Sequence, residues 1–172
     1  MNYLNGKTVY LAGSIHHIGD SGVGWRNVIT PKLESMGLNV IDPCKQTING
    51  VGEVGDDKKM LKEIIKTGDF SKVREVFFPI LKKDLRCVDL SHFIIVCYVP
   101  SIRHVGTWHE VITASQLQKK PVLLYYPPEE IEEFNPWTAC LVKEKHIFDD
   151  WNVMIDYLKE VDAGKFDTSL WY

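Results

Sequence analysis

Two acidic residues stand where packing alone does not ask for a charge. Glu110 ends the run 100–110 (PSIRHVGTWHE), and two readings fit it. Thr107 followed three residues later by Glu110 has the form of a capping box, which turns the carboxylate back onto the helix it begins. Alternatively the carboxylate projects into a cleft, where a helix N-terminus favours the ionised form that a nucleophile needs. Gly106 would then let a ligand approach the backbone closely. Asp84 falls within the apolar stripe of a helical pattern, three residues past Leu81 and four past Ile80. A carboxylate there is costly unless it has a partner or faces a cavity. Lys82, Lys83 and Arg86 offer structural partners, so both readings stand. Asp89, just before a strand, reads as a turn or cap residue.

A second stretch, 13–26 (GSIHHIGDSGVGWR), is rich in glycine but has neither the G-K-[ST] ending of a P-loop nor the G-x-G-x-x-G register of a dinucleotide fold. Ser14 and the amides after it can hold an anion or a sugar hydroxyl. A loop this long also suits a mobile lid. His16, His17, His104 and His109 contain no i, i+4 pair, and His109 and Glu110 point to different helix faces. No metal and no cofactor is expected.

Positioning these residues requires elements that the patterning supplies. Runs 8–12 (TVYLA), 92–98 (HFIIVCY) and 121–126 (PVLLYY) read as strands, with 38–41 (LNVI) a weaker fourth and 146–148 (HIF) a fifth. The second and third are continuously apolar, as strands covered on both faces are. Helical spacing covers 25–36, ending at Gly37, then about 71–88, 107–119 and 150–161. Pro31 and Pro79 suggest a late start or a bend. The alternation predicts a doubly wound α/β fold, flavodoxin-like or Rossmann-like, with a parallel sheet of about five strands and helices on both faces. The polar segment 44–70 reads as an insertion with one short helix over 57–66, within a single domain spanning 1–172. Ligands of such sheets bind past the carboxyl ends of the strands, which points to the loops 13–24 and 99–106.

The 172 residues carry a net charge of −3, which gives a polyanion no electrostatic attraction, so polymeric nucleic acid is not an expected partner. No apolar run approaches the ~20 residues of a membrane span, and the N-terminus has no signal pattern, so a cytoplasmic protein is expected. Cys44, Cys87, Cys97 and Cys140 form no C-x-x-C pair and read as small buried hydrophobes.

The motifs VYLAGSI, Asp84 ahead of the central strand, VGTWHE and KKPVLL, in this order over about residues 7–126, resemble the nucleoside 2-deoxyribosyltransferase superfamily. That group includes the 2′-deoxynucleoside 5′-phosphate N-hydrolases. The resemblance implies that Glu110 is the nucleophile at the anomeric carbon and that the Tyr10 hydroxyl places its carboxylate. It also implies that Asp84 contacts the nucleobase and assists its departure, and that Gly13 and Ser14 hold the sugar or a 5′-phosphate. Trp25, Arg26, His104, Gly106 and Thr107 complete the expected substrate-contacting set. His104 stands where transferases carry a second base-contacting aspartate, which leaves base preference, and transfer against hydrolysis, open. The implied partners are a small nucleoside or nucleotide, a free nucleobase and further copies of the chain in a homo-oligomer. In such an assembly 170–172 (LWY) either completes a neighbour's pocket or docks on its own subunit. A non-catalytic nucleotide-binding or sensing module of the same fold is the alternative, against which the joint presence of Tyr10, Asp84 and Glu110 speaks.

Overall fold

The structure is a computed structural model that describes residues 2–15, 17–48 and 50–166. His16 and the expected role of 170–172 lie outside the described residues. Five strands form one parallel sheet: β1 (Thr8–Gly13), β2 (Asn39–Ile41), β3 (Phe93–Cys97), β4 (Val122–Tyr125) and β5 (Ile147–Phe148), in the order β2-β1-β3-β4-β5. Tyr10 is in register with Ile94, and Gly13 with Cys97. The strand order reverses between β1 and β3, so a crevice opens beyond their carboxyl ends. This is the doubly wound architecture that the alternating patterns predict.

Side chains alternate across a strand, and here both faces are dry. Val9, Leu11, Phe93, Ile95 and Leu123 pack on α1 (Val23–Ser35) and α6 (Trp151–Asp162) through Ile29, Leu33, Met154 and Leu158. Tyr10, Ala12, Ile94, Val96 and Leu124 face the other way. They meet Val88 of α3 (Phe70–Leu90), Val111 of α4 (Val105–Ile112) and Val142 beyond α5 (Pro136–Leu141). The parity of Tyr10 therefore aims it at the α3–α4 layer.

Several local expectations change. Helices α1 and α3 run through Pro31 and Pro79 unbroken, and the chain leaves α1 after Ser35 through Gly37, whose φ of 81° is the left-handed conformation that favours glycine. Segment 44–70 contains the expected helix, α2 (Gly55–Lys66), which packs on α3 and buries Leu61 and the stem of Lys58. α4 gives way after Ile112 to a π-helical turn, Thr113–Leu117. Cys140 is exposed, not a buried hydrophobe, because it lies on the outer side of the short α5. Among the described residues no helix is long and apolar enough to cross a membrane.

Candidate active site

Three elements bring the chemistry together. α4 buries Thr107, Glu110 and Val111, and Ala114 continues the line, which is the i, i+3, i+4, i+7 stripe of a core-facing helix. Glu110 occupies a place on that stripe where an apolar residue belongs. Asp84 does the same on α3, four residues from buried Ile80 and four from buried Val88. Tyr10 comes from β1, and its hydroxyl donates to Glu110 Oε1 at 2.7 Å in a buried contact. The capping-box reading of Glu110 is thereby overturned. Helix α4 starts at Val105 with His104 in the N-cap position, so Thr107 is already inside it and no side chain caps the end.

A cavity of about 400 Å³ opens above these groups at the carboxyl ends of β1 and β3. Tyr10, Gly13, Ser14, Asp84, His104, Gly106, Thr107 and Glu110 all line it. The space beside the Gly106 Cα is open, with nothing within 4 Å of where a Cβ would stand. His17, Lys62 and Arg103 border the cavity and are exposed, so its rim is basic and its floor acidic. An apolar groove of about 420 Å³ adjoins it, formed by Val73, Phe77, Phe78 and Leu81 and sharing Asp84 and Glu110. A flat apolar body can lie in this groove with its polar edge at the carboxylates.

Trp25 and Arg26 do not line the cavity, contrary to expectation. Trp25 stacks on Trp151, with centroids 5.5 Å apart, in the opposite layer. Arg26 is fully buried beneath the 13–24 loop. Its guanidinium donates to the carbonyls of Gly22 (3.0 Å), Leu11 (3.2 Å) and Gly13 (3.1 Å), and Nε lies 3.4 Å from Asp42 Oδ1. Their adjacency to the loop in sequence suggested contact with ligand, but they support it from behind. Gly22, at φ 67°, is tightly confined there: a Cβ would stand 2.6 Å from the Arg26 guanidinium and 2.8 Å from the Ser14 carbonyl.

The loop is not a free lid either. Lys58 of α2 donates to Ile15 O (2.7 Å), Ile18 O (2.8 Å) and Ser21 Oγ (2.9 Å), while Asp20 accepts from the Gly22 and Gly24 amides. Ser14 is also held. His104 Nε2 lies 2.8 Å from Val99 O and 3.3 Å from Val99 N, and Nδ1 lies 2.9 Å from Ser14 Oγ, whose hydroxyl donates to Arg103 O at 3.1 Å. Burial lowers the pKa of His104, which favours a neutral ring. With both nitrogens engaged within the protein, His104 holds Ser14 at the cavity wall.

Burial pushes the Glu110 carboxyl up to about 8, and the nearby Asp84 charge adds to this, against the Tyr10 hydrogen bond that favours ionisation. A helix N-terminus does not offset it, because Glu110 stands in the second turn of α4. Asp84 is pushed up to about 7 by burial and by Glu53, against the pull of Lys83. Tyr10 is raised well above its ordinary value by burial and by the two carboxylates. Sequence reasoning missed Glu53, which is buried and lines both the cavity and the groove. It comes from the segment read as an insertion, where no periodicity marks it.

These shifts make stability fall with rising pH. Native Glu110 and Asp84 hold protons that the unfolded chain has already released above the ordinary carboxylate range, so their contribution is complete below that range. It is lost as pH rises through about 7 for Asp84 and about 8 for Glu110. Each tenfold difference in proton affinity is worth about 1.4 kcal/mol. Thermal melts between about pH 5 and about pH 8.5 should show the wild type losing stability on this account, and Glu110→Gln losing visibly less. A mutant that tracks the wild type across that range contradicts the assignment.

Among the described residues no group of three or more histidine, cysteine, aspartate or glutamate side chains is arranged to hold a metal ion. Neither a protein-family model nor a curated protein sequence matches the chain. Its likeness to known proteins is one of structure. A 2-deoxyribosyltransferase from the psychrotolerant bacterium Bacillus psychrosaccharolyticus superposes with a TM-score of 0.58 at 18% identity, over 87% of this chain and 91% of that one. A 2-deoxyribosyltransferase from Leishmania mexicana gives 0.59 at 18% identity, over 90% and 97%. A conserved protein from Enterococcus faecalis gives 0.59 at 14% identity, over 91% and 99%. The chain shares the fold of these two 2-deoxyribosyltransferases, the fold that the resemblance of its motifs implies.

Proposed function

We propose that the protein cleaves or transfers the N-glycosidic bond of a 2′-deoxynucleoside or its 5′-nucleotide, with Glu110 as nucleophile and Asp84 as proton donor. The observation that carries this reading is the 2.7 Å hydrogen bond from Tyr10 to Glu110 on the floor of a cavity that Asp84 also lines. The likeness to 2-deoxyribosyltransferases supports it at the level of fold, and fold alone does not fix chemistry. The weight therefore rests on the three side chains.

Two neighbouring acids with raised pKa values can divide their labour by sharing protons unequally. The reactive arrangement is the less populated of the two singly ionised forms, because the Glu110 carboxyl is raised further than that of Asp84; in it Glu110 is ionised, with the Tyr10 hydroxyl donating to one oxygen and leaving the other to attack. Asp84 holds the proton. As the C1′–N bond breaks, its electron pair goes to the base, the Asp84 proton follows, and Glu110 forms an ester with C1′. Attack by water on the ester gives hydrolysis. Attack by a second base remakes a nucleoside. The apolar groove gives the departing and arriving bases a dry surface, and Ser14, held by His104, faces the sugar end.

The test is incubation with a 2′-deoxynucleoside, or its 5′-monophosphate, together with a foreign nucleobase, followed by chromatography. A new nucleoside establishes transfer, and free base alone establishes hydrolysis. Saturable binding with neither product removes the enzymatic reading and leaves a binding module.

A further inference from the structure

The Lys83 ammonium stands between two carboxylates, 3.2 Å from Glu53 Oε1 and 3.2 Å from Asp84 Oδ1, with all three side chains nearly buried. The two contacts are unequal. Lys83 makes an aligned hydrogen bond to Glu53, whereas Asp84 Oδ1 has the ion-pair distance without that alignment, and the Glu53 carboxylate lies close enough to Asp84 to favour its protonated form directly. One ammonium cannot balance two buried carboxylates, so one of them must keep a proton. The alignment of Lys83 toward Glu53 makes Asp84 the one that does. Its other neighbours reinforce this: Glu110 from α4 is a further acid, Tyr10 from β1 is neutral, and Cys87 lies on its own helix. Arg74 and His109 line the adjoining groove.

We propose that Glu53 is a positioning residue: by engaging Lys83 it keeps that ammonium from drawing the proton off Asp84, so that Asp84 remains the acid for the departing base. The inference rests on the glycosidic chemistry proposed above. In that step the C1′–N electron pair and the Asp84 proton both pass to the base, and the aspartate left behind completes an ion pair with Lys83. When water opens the ester on Glu110, the proton it releases restores Asp84. Lys83 thus serves one carboxylate before the step and two after it.

Two substitutions pull Asp84 in opposite directions. Glu53→Gln leaves Lys83 to Asp84 alone, so Asp84 gives up its proton at lower pH. Lys83→Met removes the counter-ion, so Asp84 holds its proton to higher pH. Carbon-13 carboxyl titration of Asp84 in the full-length protein reads this directly, with Glu53→Asp as the variant expected to return toward the wild type. The alkaline limb of kcat against pH follows the same order, and kcat of Glu53→Gln above neutrality falls by about 10- to 100-fold. Shifts in one direction for both variants, or an unmoved Asp84 titration, overturn the proposal. A wild type without turnover defeats the glycosidic reading, while the titration still decides whether Glu53 controls Asp84.

Discussion

On the glycosidic chemistry proposed above, we expect Glu110→Gln to give a folded protein that releases base at least about a thousandfold more slowly than the wild type, since loss of a covalent nucleophile removes most of the barrier reduction it supplies. The amide fills the same volume and its oxygen still accepts from Tyr10, so neither the α4 stripe nor the cavity floor is disturbed. What is lost is the second oxygen as an attacking group. A thousandfold is about 4 kcal/mol of transition-state stabilisation. The effect belongs in kcat, with KM little changed, because the groove and the Ser14 side of the cavity are untouched. Single-turnover chromatography of the released base measures it, and intact-protein mass spectrometry of the wild type should show the trapped deoxyribosyl adduct that the variant cannot form. Release at the wild-type rate would remove Glu110 from the chemistry altogether.

The second large effect is on stability and lies behind the site. Arg26→Ala leaves the buried Asp42 with only the exposed Lys45 ammonium, 3.9 Å away, as counter-charge, and deprives the carbonyls of Leu11, Gly13 and Gly22 of the guanidinium donors. Breaking a buried pair from one side typically costs about 3–5 kcal/mol. We expect a loss of that size in urea unfolding, read from the midpoint at an unchanged slope. The double variant Arg26→Met with Asp42→Asn should regain a measurable part, since it removes the charge that the single change strands. Because the same guanidinium shapes the backbone from Gly13 to Gly22, the folded fraction of Arg26→Ala should also bind substrate more weakly. An unchanged unfolding midpoint would mean that the clamp is not needed.

The contrast between Glu110 and Arg26 shows what is legible from sequence and what is not. Asp84 is visible because it interrupts an apolar helical stripe, Glu110 because it stands at a predicted helix start after the central strand, and Tyr10 only through the motif that carries the resemblance. The five strands are legible as short apolar runs, down to a β5 of only two residues. The start of α4 is not, because Val105 is exposed and no capping side chain announces it, so the nearest threonine takes the N-cap role in a reading by rule. Arg26 misleads because an arginine beside a glycine loop looks like an anion ligand until the three carbonyls it serves are seen. Glu53 and Lys58 are invisible, since their burial depends on α2 and the residues before it lying against the β1 loop and α3. That packing is long-range and leaves no local periodicity.

The three oxygens around the Lys58 ammonium have a mechanical consequence. They come from residues 15, 18 and 21, while the lysine belongs to α2, so one cation stitches together two stretches of chain more than thirty residues apart. If either stretch moves alone, that cation gives up all three oxygens to water, so the two stretches are expected to move together.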